Sequence, residues 1–248
     1  MDRQAIKTRL EKINLEINHA CQLANRSPGE VRLIGICKYQ PVWKISAARD
    51  FGLKDFGQNY VQGLQKQAEL LGEEFNQLNW HFVGNLQTNK VKAILKLFPK
   101  NPPKIHTLDR LDLAKALHQR ALHPIDCLIQ VLPESIPGGI KFEGQQRFGC
   151  PKEKVIPLLK GIIDLEKINV SGLMLLPPQE EDLSLTQIHF KNIRKFFQEL
   201  QKEISNLSCK RIQMRDLSMG MTEDLIPAIK EGATLVRIGT GVFGPREK

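Results

Sequence analysis

Apolar residues recur over residues 3–25 at Ile6, Leu10, Ile13, Ile17, Cys21 and Ala24, with charged residues between them. That 3.6-residue spacing predicts an amphipathic helix, ended by Ser27-Pro28-Gly29. After it the pattern changes to short apolar runs separated by helical stretches. The runs predict strands at 31–37, 54–57, 79–84, 104–108, 125–132, 168–176, 215–219 and 234–240. Helices are expected at 41–51, 59–71, 88–98, 110–121, 151–164, 184–205 and 222–231. Runs such as Cys127-Leu128-Ile129-Gln130-Val131-Leu132 and Gly172-Leu173-Met174-Leu175-Leu176 are apolar on both faces, as buried parallel strands require.

Eight strands alternating with helices in a chain of 248 residues predict an α/β protein with one (β/α)₈ barrel as a single domain over 1–248. A doubly wound sheet is the competing arrangement, but it usually opens with a Gly-rich turn after the first strand. Here that position carries Lys38-Tyr39-Gln40. The last strand runs into Gly244-Pro245-Arg246-Glu247-Lys248, so no helix is expected after it. The N-terminal helix is the natural element to cover that sector.

A barrel gathers its chemistry at the C-terminal ends of its strands. Lys38 ends the first strand, with Pro41 soon after it, and a lysine delivered into a pocket is a potential nucleophile toward an aldehyde. Asp55-Phe56-Gly57-Gln58-Asn59-Tyr60 and Trp80-His81-Phe82-Val83-Gly84 follow, with Asn59 read first as a helix cap and second as a ligand contact. His81 alternates with Trp80 and Phe82 and is expected to point into the mouth, either as a hydrogen-bonded core residue or as a ligand contact. His106, Asp109 and Arg110 are expected to cap and start the fourth helix.

Ser218-Met219-Gly220 and Gly239-Thr240-Gly241 end the last two strands, where barrels often bind phosphate through backbone N–H groups. Either segment alone reads as a tight turn, whereas the pair reads as an anion cradle. Arg237 shares a face with Gly239 and fits either an ion pair closing the barrel or a contact beneath a ring. Strand eight lies beside strand one in a closed barrel, which puts the cradle next to Lys38. A ligand with a phosphate, an aldehyde and a ring fits that layout, and pyridoxal 5′-phosphate (PLP) has those parts.

Composition adds exclusions. The formal charge of +9 suggests an anionic partner or a generally basic surface. A nucleic-acid-binding role through helix 184–205 and Lys210-Arg211 is not expected, because basic and aromatic residues are not interleaved on one face. Five scattered cysteines without Cys-x-x-Cys spacing indicate neither a disulfide framework nor a zinc site, and no metal is expected. With no signal peptide and no membrane-length apolar run, the expectation is a cytoplasmic protein with no membrane partner.

The segments 37–41, 55–62, 80–90, 105–110, 171–174, 217–224 and 236–244 together resemble the pyridoxal phosphate homeostasis protein family, in order over nearly the whole chain. The resemblance implies a barrel of the alanine racemase N-terminal type with an extra N-terminal helix. It implies PLP in Schiff-base linkage to Lys38, phosphate contacts from Ser218, Gly239 and Thr240, and Arg237 facing the pyridine nitrogen. It also implies a monomeric carrier or regulator in intracellular PLP homeostasis, with transient docking to PLP-requiring apoenzymes as a possible partner role. Two positions depart from the family pattern: Gln58 stands where Glu is common, and Gly63 where an acidic residue often follows Val-Gln.

The alternatives from the residues are an amino-acid racemase-like enzyme using PLP and a cofactor-free Schiff-base aldolase. Arginine cannot accept a ring-nitrogen proton, so a ring above Arg237 stays a weak electron sink. Only Tyr39 and Tyr60 offer a phenolic acid near Lys38. The residues therefore favour a non-catalytic PLP-binding protein, with Lys38, Asn59, His81, Ser218, Arg237, Gly239 and Thr240 as its contacts.

Overall fold

The computed structural model describes residues 2–137, 148–178, 182–207 and 209–245. Helix α1 (Arg3–Leu23) begins with the Asp2 carboxylate accepting from Ala5 N at 3.0 Å. Its apolar stripe, Ile6, Leu10, Ile13, Ile17, Ala20 and Cys21, is buried, while its outer face carries charges such as Lys7 and Glu11. The strands are β1 (Arg32–Ile36), β2 (Asp55–Gln58), β3 (Asn79–Phe82), β4 (Lys104–Leu108), β5 (Ile125–Val131), β6 (Ile168–Leu175), β7 (Ile212–Ser218) and β8 (Leu235–Ile238). They close into a barrel in chain order, all pairs parallel, with β8 returning to β1 so that Arg237 lies opposite Ile34.

The outer ring contains α2 (Val42–Asp50), α3 (Val61–Leu71), α4 (Val91–Lys96), α5 (Leu111–Arg120), α6 (Val155–Ile162), α7 (Leu183–Ile204) and α8 (Leu225–Lys230). A short α9 (Thr240–Phe243) follows β8, which corrects the expectation that no helix would stand there. Residues 239 and 240, read as the end of a strand, cap and begin that helix instead, and Phe243 is fully buried. Helix α1 packs on α2, α8 and α9 and closes the same sector. Residues 246–248 of the expected tail lie outside the described residues.

Two kinds of core fill the structure. Between strands and helices lies a continuous hydrocarbon layer that includes Phe56, Phe82, Leu113, Phe190 and Phe243. Inside the barrel, one side is a small apolar cluster of Ile34, Leu128, Met174 and Leu235 with Ile36 against it. The other side is polar, which apolar strand patterns do not announce. None of the described helices is long and apolar enough to cross a membrane.

Candidate functional site at the barrel mouth

The loop after β1 delivers Lys38 to the C-terminal mouth. Tyr39 adopts φ 59°, a left-handed conformation that a tyrosine rarely takes and that turns the chain sharply. The Lys38 Nζ lies 5.2 Å from the Tyr39 ring centre and 5.1 Å from that of Tyr60, on the loop after β2. Such cation–π contacts hold an ammonium weakly, by about 0.5–1 kcal/mol at exposed sites. Among the described residues no carboxylate pairs with Lys38.

Asn59 does not cap a helix. Helix α3 begins at Val61 with Tyr60 as its cap and no side-chain cap bond, so the first reading of Asn59 is corrected. Its Oδ1 is buried and has no hydrogen-bond partner. An orphaned buried acceptor costs about 1–3 kcal/mol. It therefore marks a place where a ligand donor fits. The backbone around it is held closely: Gln58 Oε1 accepts from Asn59 N at 2.8 Å, and Thr107 Oγ1 donates to Gly84 O at 2.6 Å. A Cβ on Gly84 would lie 1.9 Å from Asn59 O, so only glycine lets the loops after β2 and β3 approach this far.

Gly239 completes the mouth. A Cβ there would meet Ile36 O at 3.5 Å, so the Gly239 backbone runs beside the end of β1, two residues before Lys38. The first N–H groups of α9, at Thr240 and Gly241, precede the helix's own bonds, which start with Val242 N to Gly239 O. Arg237 sits a layer deeper, 5% exposed. Its Nη1 donates to Ser218 Oγ at 2.8 Å and its Nη2 to Leu175 O at 3.0 Å. Burial pulls it down to about 10, with Asp224 opposing, so it stays charged at neutral pH. No carboxylate forms an ion pair with Arg237 among the described residues, so the barrel-closing ion pair is not observed.

Two expected contacts lie elsewhere. Ser218 is fully buried, its hydroxyl between Arg237 and His106 Nδ1 at 3.0 Å. A phosphate role for Ser218 therefore does not rest on that hydroxyl, which points into the barrel. His81 does not face the mouth. Its Nε2 lies 2.9 Å from Asp55 Oδ1 and its Nδ1 2.9 Å from His106 Nε2. Asp55 is the first residue of β2 and so belongs to the floor, where an open polar cavity of about 520 Å³ is lined by Arg32, Asp55, His81 and Lys104. His106 lies within β4, fully buried, and the cap of α5 is Arg110, which pairs with Asp109 at 2.6 Å. Period-two alternation puts Lys104, His106 and Leu108 on one face of β4, a signal that the helix-start reading passed over.

No family model matches the chain. Full-length relatives do. The chain is 36% identical over 239 residues to the pyridoxal phosphate homeostasis protein of Aquifex aeolicus, covering 96% of this chain and 97% of that one. It is 33% identical over 245 residues to the protein of that name from Pasteurella multocida, covering 98% of each. The chain belongs to the pyridoxal phosphate homeostasis protein family.

Within the solved structures, this family member superposes on PipY of Synechococcus elongatus with PLP bound, at a TM-score of 0.75 and 28% identity, over 96% of this chain and all (100%) of PipY. It also superposes on the alanine racemase of Corynebacterium glutamicum at a TM-score of 0.66 over 98% of this chain and 62% of the racemase. At 12% identity that likeness establishes the fold alone. The barrel, the extra N-terminal helix and the family are thus those the sequence motifs implied.

Gln58 and Gly63 are coupled in space. Gln58 is 2% exposed, and its carboxamide lies where a side chain at position 63 would go. Helix α3 thereby accepts a neutral amide beneath Asn59.

Proposed function

We propose that the chain binds PLP at the barrel mouth and serves as a monomeric carrier or regulator of that cofactor inside the cell, without turning over a substrate. The observation that carries this reading is the pairing of Lys38 Nζ, poised between two rings, with the orphaned Asn59 Oδ1 on the neighbouring loop. Lys38 is the residue that would hold the aldehyde, as a Schiff base. Asn59 Oδ1 would accept from a ligand donor, and the backbone of Gly239, Thr240 and Gly241 would meet the phosphate. Arg237 would stand beneath the ring nitrogen. Support comes from the relatives' shared name and from PipY, a structure with PLP bound.

When bound, PLP supplies an electrophilic aldehyde and a ring that can draw electrons from an attached carbon. The chain's own residues restrain the second ability. A charged Arg237 beneath the ring nitrogen would offer it only donors, which would leave that nitrogen unprotonated and the ring a weaker sink. No carboxylate stands beside Lys38 among the described residues to exchange a substrate proton, and the tyrosines at its sides, Tyr39 and Tyr60, are exposed. Docking to apoenzymes that need PLP suits a site open at the barrel rim.

The test is a visible absorption spectrum with added PLP, then borohydride reduction and peptide mapping. A yellow protein carrying the reduced label on Lys38 is expected; a colourless protein with no labelled peptide would overturn the reading. Purified protein is also offered a panel of L-amino acids, where stereoinversion at ordinary enzymatic rates would sink the carrier role.

A further inference from the structure

Along the polar side of the barrel interior a file of hydrogen bonds runs from the floor to the layer beneath the mouth. Asp55, His81, His106, Ser218 and Arg237 come from β2, β3, β4, β7 and β8 and link successively at 2.9, 2.9, 3.0 and 2.8 Å. The four above Asp55 are each 5% exposed or less. None of His106, His81 and Asp55 reaches the mouth, so anchoring a ligand there does not explain them.

With both ends charged and both histidines neutral, as their burial favours, only one proton arrangement satisfies every link. Arg237 can only donate, so Ser218 Oγ accepts from it and its own O–H goes to His106 Nδ1. At the other end the Asp55 carboxylate can only accept, so His81 Nε2 carries a proton. His81 Nδ1 then accepts from His106 Nε2–H. Every donor points from the mouth toward the floor, and each residue between the ends is neutral.

The surroundings enforce that state. Lys104 and Arg32 face the histidines from the floor and Arg237 from above, with Asp224 near Arg237. Asp216 is bound by Lys104 at 2.5 Å, by Ser171 at 2.8 Å and by Arg32 at 3.2 Å. A proton added to His106 would make both its nitrogens donors, leave the Ser218 O–H without its acceptor and add a second cation beside Arg237. The Ser218–His106 link would reverse at the centre of the file.

We propose that His106 is a positioning residue for the ligand site, which acts through Ser218 to fix the pose of Arg237, and that Asp55 sets its tautomer from the far end of the barrel through His81. This rests on the reading that PLP lies over Arg237. A carboxylate on the floor thus keeps a charged donor aimed at the mouth, and mutations far from the ligand reach it by this route.

Imidazole nitrogen NMR on the full chain, before and after PLP is added, tests the file directly. His81 and His106 are expected as Nε2–H tautomers that do not titrate between about pH 6 and 8. Replacing His106 by Phe is expected to weaken PLP retention on the order of tenfold, with a shifted visible band. His106→Asn, whose Oδ1 can accept from Ser218, is expected to restore most of both. Where His106→Phe does not fold by circular dichroism, Ser218→Ala removes the same link with little volume change and is expected to shift the band likewise. An Nδ1–H or doubly protonated His106, or wild-type spectrum and retention in the folded link-breaking variant, would overturn the proposal. A wild-type protein that develops no visible band with PLP defeats the cofactor reading instead, and the tautomers still decide whether the file exists.

Discussion

The Gln58 carboxamide occupies the volume that a side chain at position 63 would need: a Cβ on Gly63 would sit 2.7 Å from Gln58 Cδ and Nε2. Glycine inside a helix is unfavourable by about 1 kcal/mol relative to alanine. Its presence in α3 therefore reflects Gln58, whose Oε1 holds Asn59 N at 2.8 Å. Gly63→Ala is expected to shift Gln58 off Asn59 and weaken PLP binding on the order of tenfold. Thermal stability should change by less than about 1 kcal/mol, because the displaced atoms end a flexible side chain. Titration with PLP beside a melting curve separates the effects, and a parallel loss of both would show that the contact only packs the helix.

Gly84 should behave differently. A Cβ at this position meets the Asn59 backbone rather than a movable side chain. Gly84→Ala is expected to cost about 1–3 kcal/mol by overpacking and to reduce PLP binding with it. Chemical denaturation and ligand titration on the same variant check this. Unchanged stability would mean that the loops after β2 and β3 part easily.

Acid should destabilise the fold through its buried histidines. Burial lowers the His81 pKa, with Asp55 opposing, and burial plus the nearby cations holds His106 well below its ordinary value. The unfolded chain then binds more protons than the native one below about pH 6.5, so stability rises with pH up to that point and is lost as pH falls. Each such histidine contributes a slope of at most about 1.4 kcal/mol per pH unit. Urea unfolding between about pH 5 and 7 should show this limb, with a shallower slope in His106→Asn. An identical slope in the variant would place the protons elsewhere.

The cysteines should react unequally. Burial pushes the Cys37 thiol up to about 12 although it adjoins Lys38, and its Sγ faces Gly57 O at 3.3 Å. Burial also raises Cys127, and raises Cys150 to about 11. Cys209 is the half-buried one. A maleimide added to the native protein should label Cys209 first, with Cys37 protected until unfolding. Rapid labelling of Cys37 would show that the β1 end opens.

Repeated apolar runs were enough to read the barrel, because a parallel strand buried on both faces must be apolar whatever its neighbours. The register was not readable to the same degree. The strand expected from Arg215 begins three residues earlier, at Ile212, since an alternating segment at a barrel end resembles a loop. Lys38, Gly239 and Thr240 stood out because strand ends are the one place where the fold's geometry predicts chemistry from position alone. Asn59 was singled out first as a cap, and the tertiary structure shows instead a residue that caps no helix and holds a buried, unpartnered acceptor.

What the sequence by itself determined, then, is the eight strands, their order and the end of the barrel where the loops after them gather, while α9 escaped it. Those follow from local periodicity and from the rule that strand C-termini converge. Only the closed barrel decided which inward polar side chains meet. Asp55 and Ser218 are 163 residues apart, and strand spacing in the chain says nothing about their depth along the axis. The tilt and stagger of closure set that depth. They put Asp55 on the floor, His81 and His106 between, and Ser218 under Arg237, making one file from residues that the chain presents as unrelated.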